Sequence, residues 1–395
     1  GKLYYTAMPT TSMGHELHIS DGTSAGTRLV KNIGPAEYSS HPEYFTVLNG
    51  KLYFTADDNN SGREIWTSDG TSQGTRLFAD IFPPAQGTSS SDPGYMITLG
   101  DKMYFIADDG AHGEELWVSD GTEQGTFMLK DIYPGPTDGA SLSDSIMHTW
   151  LTGPDGCKPV ALGNLLFFEG NEPSTGREIW CTDGTKAGTK LVADMAKGSW
   201  AGEFIEGAVM GGRVYFFTKH DFKAGLWATD GTAAGTVKIH DGFHPSFRWR
   251  SPLVVGDRIF FLGKTEKYGS EPWITDGTTA GTHMIVDLWP GTGSSNLGAP
   301  CVSGGRIFFT ATTPSSNGRR VVHVTDGTAA GTKPLLPAMK YDKARELAPF
   351  LGKVFFEADA NSYGEEIWVT DGTSQGTVLF KDIWSYSRDG GFRHP

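Results

Sequence analysis

The chain has 395 residues, with 33 Lys and Arg against 46 Asp and Glu for a formal charge of −13, and 38% of it is apolar. That balance argues against a nucleic-acid-binding protein, which needs a basic face to replace the counterions around phosphate. The apolar content is too high for a disordered chain, and apolar runs of about five residues fall far short of the roughly 20 that a membrane-spanning helix needs, so no membrane insertion is expected. With 53 Gly, the sequence reads as a turn-rich globular protein.

From the N-terminus the chain runs through an aromatic segment, Leu3-Tyr4-Tyr5, then Glu16 and His18, then the string Asp-Gly-Thr-x-x-Gly-Thr beginning at Asp21. This order recurs to the end. The string occurs eight times, starting at Asp21, Asp69, Asp120, Asp183, Asp230, Asp276, Asp326 and Asp371, with spacings of 48, 51, 63, 47, 46, 50 and 45 residues. The long interval carries an insertion near 138–158. Three positions before the Asp stands Trp66, Trp117, Trp180, Trp227, Trp273 or Trp368, with His18 and His323 in the first and seventh copies. Two positions earlier stands Glu16, Glu64, Glu115, Glu178, Glu271 or Glu366, with Gly225 and Val321 as exceptions.

The aromatic runs, such as Leu52-Tyr53-Phe54 and Val214-Tyr215-Phe216-Phe217, are short, rich in aromatic and β-branched residues and bounded by turn formers, which predicts strands. Both alternating sets are apolar, so both faces must be covered. In the second repeat the predicted strands are Phe45–Leu48, Leu52–Ala56, Glu64–Thr67 and Thr75–Ile81. A four-stranded sheet cannot hide two apolar faces alone, and radial stacking of such sheets meets that need. The expected fold is therefore all-β, an eight-bladed β-propeller of four-stranded antiparallel blades spanning 1–395 as one domain. Counting from Asp371 past the C-terminus and on from residue 1 to Asp21 gives 45 residues, the shortest internal spacing, so the ring should close. Residue 1 opens on a second strand, and Gly390–Pro395 should supply the missing first strand of that blade.

The repeated Asp is expected in the turn between third and fourth strands, its carboxylate accepting backbone N–H groups while the next Gly takes a positive φ. A calcium reading is poorer, because Ca²⁺ needs six to eight oxygens and each turn offers one carboxylate. The Trp reads as packing between sheets, and the Glu as a partner for backbone or Arg. Glu-Leu-Trp-x-x-Asp-Gly-Thr at 115–122, with Ile for Leu at 64–71, 178–185 and 366–373, resembles the ELWxxDGT repeat family, sometimes grouped with hyalin-like repeats. The resemblance covers essentially the whole chain and implies an extracellular or cell-surface protein. It implies no particular reaction. Of the cysteines, Cys157, Cys181 and Cys301 match no zinc spacing and read as buried free thiols.

Function should lie where the copies differ. Four segments leading into first strands carry histidine: His41 in Ser-Ser-His-Pro, His148 in the insertion, His244 in Phe-His-Pro-Ser and His394 in Phe-Arg-His-Pro. Leading into blades 2, 4, 6 and 1, they would set four imidazoles about the axis, a geometry able to hold Fe, Cu or Zn, with Glu203 and Glu206 accepting ring N–H groups. The bland alternative is variable loop residues. A second set mixes base and aromatic: Arg248, Trp249, Arg250, Trp200, Trp150, Tyr341, Lys343, Arg345 and Arg393. Arg forks bind carboxylate or sulfate and flat rings stack on sugars, so a glycan or another anionic ligand is the expected partner. Pairing of these Arg with the abundant Asp and Glu is the alternative. Three functions remain open: a binding propeller, a four-histidine metalloenzyme, and a polysaccharide lyase in which Arg248 or Arg345 neutralises a uronate while His244 or Tyr341 takes the proton. A spacer within a larger surface protein is the purely structural possibility.

Overall fold

The computed structural model describes residues 1–8, 13–35, 37–83, 89–141, 159–195, 203–220, 223–244, 252–298, 300–336, 342–359 and 364–381. The repeats form eight antiparallel sheets, one per repeat, and the described residues contain no α-helix. Nor is any helix among them long and apolar enough to cross a membrane. In the second repeat the strands are Glu43–Leu48, Lys51–Asp57, Arg63–Ser68 and Arg76–Ala79, paired in chain order and close to the expected spans. The third, fifth, sixth, seventh and eighth sheets repeat that four-stranded order. The first sheet has three strands, Leu3–Ala7, Glu16–Ser20 and Arg28–Lys31, and the segment expected to complete it lies outside the described residues.

The fourth sheet differs from expectation. Ala140 and Ser141 pair with Gly170 and Glu169, while Val160–Leu162 pair with the preceding stretch Leu165–Phe167 of the same strand. The insertion therefore interrupts the first strand itself rather than the connection before it.

The turn beginning at each repeated Asp is held by its own polar groups. At the third copy, Asp120 Oδ1 accepts the Thr122 amide at 2.8 Å and the Thr122 hydroxyl at 2.7 Å, and Thr122 Oγ1 accepts the Gly125 amide at 2.9 Å. The Thr126 hydroxyl reaches the Thr122 carbonyl at 2.7 Å, and Ser119 Oγ accepts the Gly121 amide at 3.1 Å. Gly121 has φ +89°, open to glycine and strained for other residues. Gly125 is required for a different reason: a Cβ there would lie 2.1 Å from Asp120 Oδ1, and the equivalent distance is 2.0–2.1 Å in all eight copies. Every constant position of the string thus has a structural task. The hydrogen bond from the Thr122 hydroxyl, followed by that from its amide, holds the Asp120 carboxyl below the usual carboxylate range.

Residues 1–204 with 231–233 form one compact unit, and residues 205–230 with 234–395 a second. Within the first, successive sheets share apolar cores: Leu17, Ile19 and Val30 meet Leu52, Phe54 and Trp66, and Leu48, Tyr53 and Ile65 meet Met96, Met103 and Phe105. Within the second, Phe217 and Leu226 meet Phe261 and Trp273, and Val322 and Val324 meet Val354, Phe356 and Trp368. The repeated Trp lies in these seams and stacks on the second strand, as for Phe105–Trp117 (20° between planes) and Phe356–Trp368 (19°). His323 keeps that arrangement on Phe309, at 5.5 Å and 16°. Cys181 and Cys301 are free and buried, as expected, and Cys157 lies outside the described residues.

Candidate ligand-binding site

The repeated Glu does not pair with Arg in the copies whose contacts are described; it is a buried bracket for the segment that leads to the next sheet. Its carboxylate accepts the amide 17 residues downstream in four copies, Ile33 on Glu16, Ile81 on Glu64, Ile132 on Glu115 and Leu288 on Glu271, at 2.8–3.0 Å. In two copies a serine further on completes the bracket. Ser40 Oγ donates to Glu16 Oε2 and Ser91 Oγ to Glu64 Oε2, each at 2.6 Å. These serines stand three positions before the first residues of the first strands of the second and third sheets, Glu43 and Gly94.

Each serine leads into a bulged first strand. His41, Asp92, Asn296 and Lys343 stand seven residues before the first hairpin of their sheets and have φ of 42°, 42°, 46° and 54°. Tyr44, Tyr95 and Glu346 stand four before it, with φ of 52°, 54° and 53°. Register shifts between Glu43 and Thr46, Gly94 and Ile97, and Arg345 and Ala348 mark the same bulges. His, Asp and Asn tolerate the left-handed region better than most residues, whereas a tyrosine there costs about 1–2 kcal/mol. Bulges re-aim side chains, and strained positions of this kind cluster at functional sites.

Here they display an aromatic pair. Tyr44 and Tyr95, 41% and 39% exposed, hold their ring centroids 5.6 Å apart at 49°. Beside them the His15 and His41 rings meet edge to face at 5.2 Å, the His41 amide donates to the His15 carbonyl at 3.2 Å, and Arg63 Nη1 donates to the His41 carbonyl at 2.9 Å. Arg63 also lies 3.6 Å from Glu43. Partial burial, then Tyr95 and Glu43, raise the Tyr44 hydroxyl above its ordinary range, so it stays a neutral donor.

Of the expected metal ligands, His41 lies in the first unit and His244 in the second, where its amide donates to the Lys264 carbonyl at 2.8 Å. His148 and His394 lie outside the described residues, among which no group of three or more His, Cys, Asp or Glu could hold a metal. Asp92, Asn296 and Lys343 at the place of His41 tie its identity to the backbone conformation. Of the expected ligand-binding residues, Arg345 is engaged by Glu357 at 2.9 Å and Glu365 at 2.7 Å on its own sheet. Trp150, Trp200, Arg248, Trp249, Arg250, Tyr341 and Arg393 lie outside the described residues. The tyrosines had a sequence signal that the histidine reading passed over: Ser-Ser-His-Pro-Glu-Tyr at 39–44 recurs as Ser-Ser-Asp-Pro-Gly-Tyr at 90–95.

No family model and no curated protein matches this chain. Among solved structures it is similar to a puromycin hydrolase, at 11% identity over 90% of this chain and 55% of that one with a TM-score of 0.39. It is also similar to a prolyl endopeptidase (12%, 86% and 49%, TM-score 0.41) and to the acylaminoacyl peptidase of Pyrococcus horikoshii (13%, 84% and 51%, TM-score 0.34). The chain spans about half the length of each, and likenesses this distant carry no argument about a site. The fold and site by themselves define an all-β repeat protein of eight antiparallel sheets that displays its variable side chains at bulged first strands.

Proposed function

We propose that this is a glycan-binding β-propeller of eight blades, secreted or displayed at a cell surface, with Tyr44 and Tyr95 as the platform on which a sugar ring stacks. The observation that carries this reading is two neighbouring first strands each holding a tyrosine in a left-handed conformation with its ring part exposed. Such rings offer an apolar body to the C–H face of a sugar and a hydroxyl to its rim. Glu43, Arg63 and Glu114 act electrostatically on the Tyr44 hydroxyl. Because Glu43, Asp92 and Glu114 are exposed and acidic while Arg63 is already engaged, the platform suits an uncharged sugar better than a uronate. That favours binding over lyase chemistry at these residues.

Closure of the eight sheets into a ring is part of this proposal, and the faces it would cover are exposed. In the first unit the turn glycines Gly70, Gly121 and Gly184 each face a tyrosine of the preceding sheet, and in the second Gly277, Gly327 and Gly372 face Tyr215, Ile274 and Phe308, yet Gly22 faces nothing. On the eighth sheet Phe350 and Phe380 are 62% and 60% exposed, where their second-sheet counterparts Leu48 and Phe78 are 2% and 8%.

The test is titration calorimetry against a panel of neutral and uronic oligosaccharides, with Tyr44→Ala and Tyr95→Ala. Loss of one stacking ring should weaken binding about tenfold, near 1.4 kcal/mol. A panel without a binder, or variants that bind like the parent, would overturn the reading.

A further inference from the structure

One position near the start of the third strand carries a charge that is answered within its own sheet. In the second sheet it is Arg63, opposite Asp57, and its guanidinium has three partners: the His41 carbonyl at 2.9 Å, the Thr55 hydroxyl at 3.1 Å and the Glu43 carboxylate at 3.6 Å. The eighth sheet reverses the signs. There Glu365, opposite Asp359, meets Arg345 at 2.7 Å, and Arg345 has the place in the first strand that Glu43 has in the second sheet. In the fourth sheet Arg177, opposite Asn171, lies 3.6 Å from Glu169 on the second strand.

The seventh sheet keeps the cation and drops its acid. Arg320, opposite Thr312, stands where Arg63 does, and Thr310 stands where Thr55 does. The place of Glu43 falls to Gly298, whose amide donates to the Thr310 carbonyl at 2.8 Å. Arg320 is half-buried, yet among the described residues its guanidinium has no hydrogen bond or ion pair, and the Thr310 hydroxyl has none either. Both reach the space beside Gly298: a Cβ on that glycine would stand 2.2 Å from Thr310 Oγ1 and 3.2 Å from Arg320 Nη1. Gly298 lies outside the left-handed region, so its backbone does not call for glycine.

A guanidinium partly withdrawn from water is costly without a counter-ion, and the absent side chain says what would supply one. A carboxylate fits the guanidinium fork through two oxygens, and a threonine hydroxyl can donate to it as well. An uncharged sugar would leave the cation unanswered. We propose that Arg320, Thr310 and the space beside Gly298 form a carboxylate-binding subsite on the seventh sheet, taking the acid group of a small organic acid or of a uronic sugar. The ligand carboxylate stands in for the side chain that Glu43 supplies in the second sheet. All three residues belong to the second compact unit, and the subsite does not depend on the Tyr44 and Tyr95 platform in the first.

Nuclear magnetic resonance of the arginine Nε–Hε groups reads the subsite in the intact protein, titrated at constant ionic strength with acetate, glucuronate, sulfate and glucose. The Arg320 and Arg63 signals are identified by their loss in Arg320→Gln and Arg63→Gln. The Arg320 signal should shift saturably with acetate and glucuronate and stay still with glucose, while the Arg63 signal, already answered by Glu43, stays still throughout. Glucuronate bound no more tightly than acetate assigns the subsite to free acids, and tighter binding assigns it to uronic sugars. Gly298→Glu, whose carboxylate would fill the subsite from within the chain, should weaken acetate binding about tenfold or more. Should that variant fail to fold, Thr310→Val should weaken it about threefold by removing one hydrogen bond. An Arg320 signal that moves with glucose, that moves with sulfate but not acetate, that never saturates, or that responds unchanged in the folded variants overturns the proposal.

Discussion

Gly125→Ala separates two opposite expectations for the repeated turn. Gly125 lies outside the left-handed region, and alanine at such a position ordinarily stabilises by about 0.4–1 kcal/mol by restricting the unfolded chain. Here the added Cβ would stand 2.1 Å from Asp120 Oδ1, so the carboxylate must leave its place. It then loses the Thr122 amide and hydroxyl, two hydrogen bonds worth about 0.5–1.5 kcal/mol each, for an expected loss near 1–3 kcal/mol. Urea unfolding of the parent, Gly125→Ala, Asp120→Ala and the double variant forms a cycle. Once Asp120 is gone, the atoms nearest the added Cβ go with it, and the alanine should be neutral or mildly stabilising. A single variant as stable as the parent, or strictly additive effects, would refute the claim that the glycine exists to admit the aspartate.

Two further predictions concern the seams. Burial, set against the hydrogen bond that the His323 ring donates to the Val321 carbonyl, depresses His323 to about 4, below the unfolded 6.5, so its contribution is present above pH 6.5 and lost as pH falls through about 4. That shift corresponds to about 3 kcal/mol, and His323→Trp, the residue most other repeats carry, should lose less stability between pH 7 and pH 4 than the parent; equal losses would contradict the buried-imidazole reading. If the ring closes, Phe380→Ala should cost about 3–5 kcal/mol in chemical unfolding, whereas a surface phenylalanine should cost under about 0.5 kcal/mol, and the smaller figure would leave the eighth sheet uncovered.

What the sequence made legible is what is local. Turn, strand and stacking tryptophan are set by residues within a few positions of one another, so Asp120, Gly121, Thr122 and Trp117 could be assigned their tasks from the string alone. The partners of Glu16 and Glu64 lie 17 to 27 residues downstream, and no spacing rule for turns or strands reaches that far. The bulges escaped for another reason: a left-handed tyrosine has no signature in composition, and Tyr44 and Tyr95 meet only because their strands are neighbours. Arg345 shows the converse error. Its charge looked available to a ligand, but its carboxylate partners, Glu357 and Glu365, sit on adjacent strands at separations of 12 and 20 residues.

The bracket and the bulge together explain why variation can accumulate beside so rigid a repeat. The glutamate fixes the lead-in by accepting backbone amides, which every residue but proline supplies, so side chains beyond it are left free to change. Where a serine completes the bracket, the next residue is left-handed, as His41 and Asp92 show. The backbone therefore presents equivalent positions in successive sheets while the sequence chooses what each displays: tyrosine in the second and third, glutamate in the eighth. On the proposed reading, binding chemistry belongs to particular repeats rather than to the fold, and only the second and third, among the described bulges, bring two tyrosine rings together.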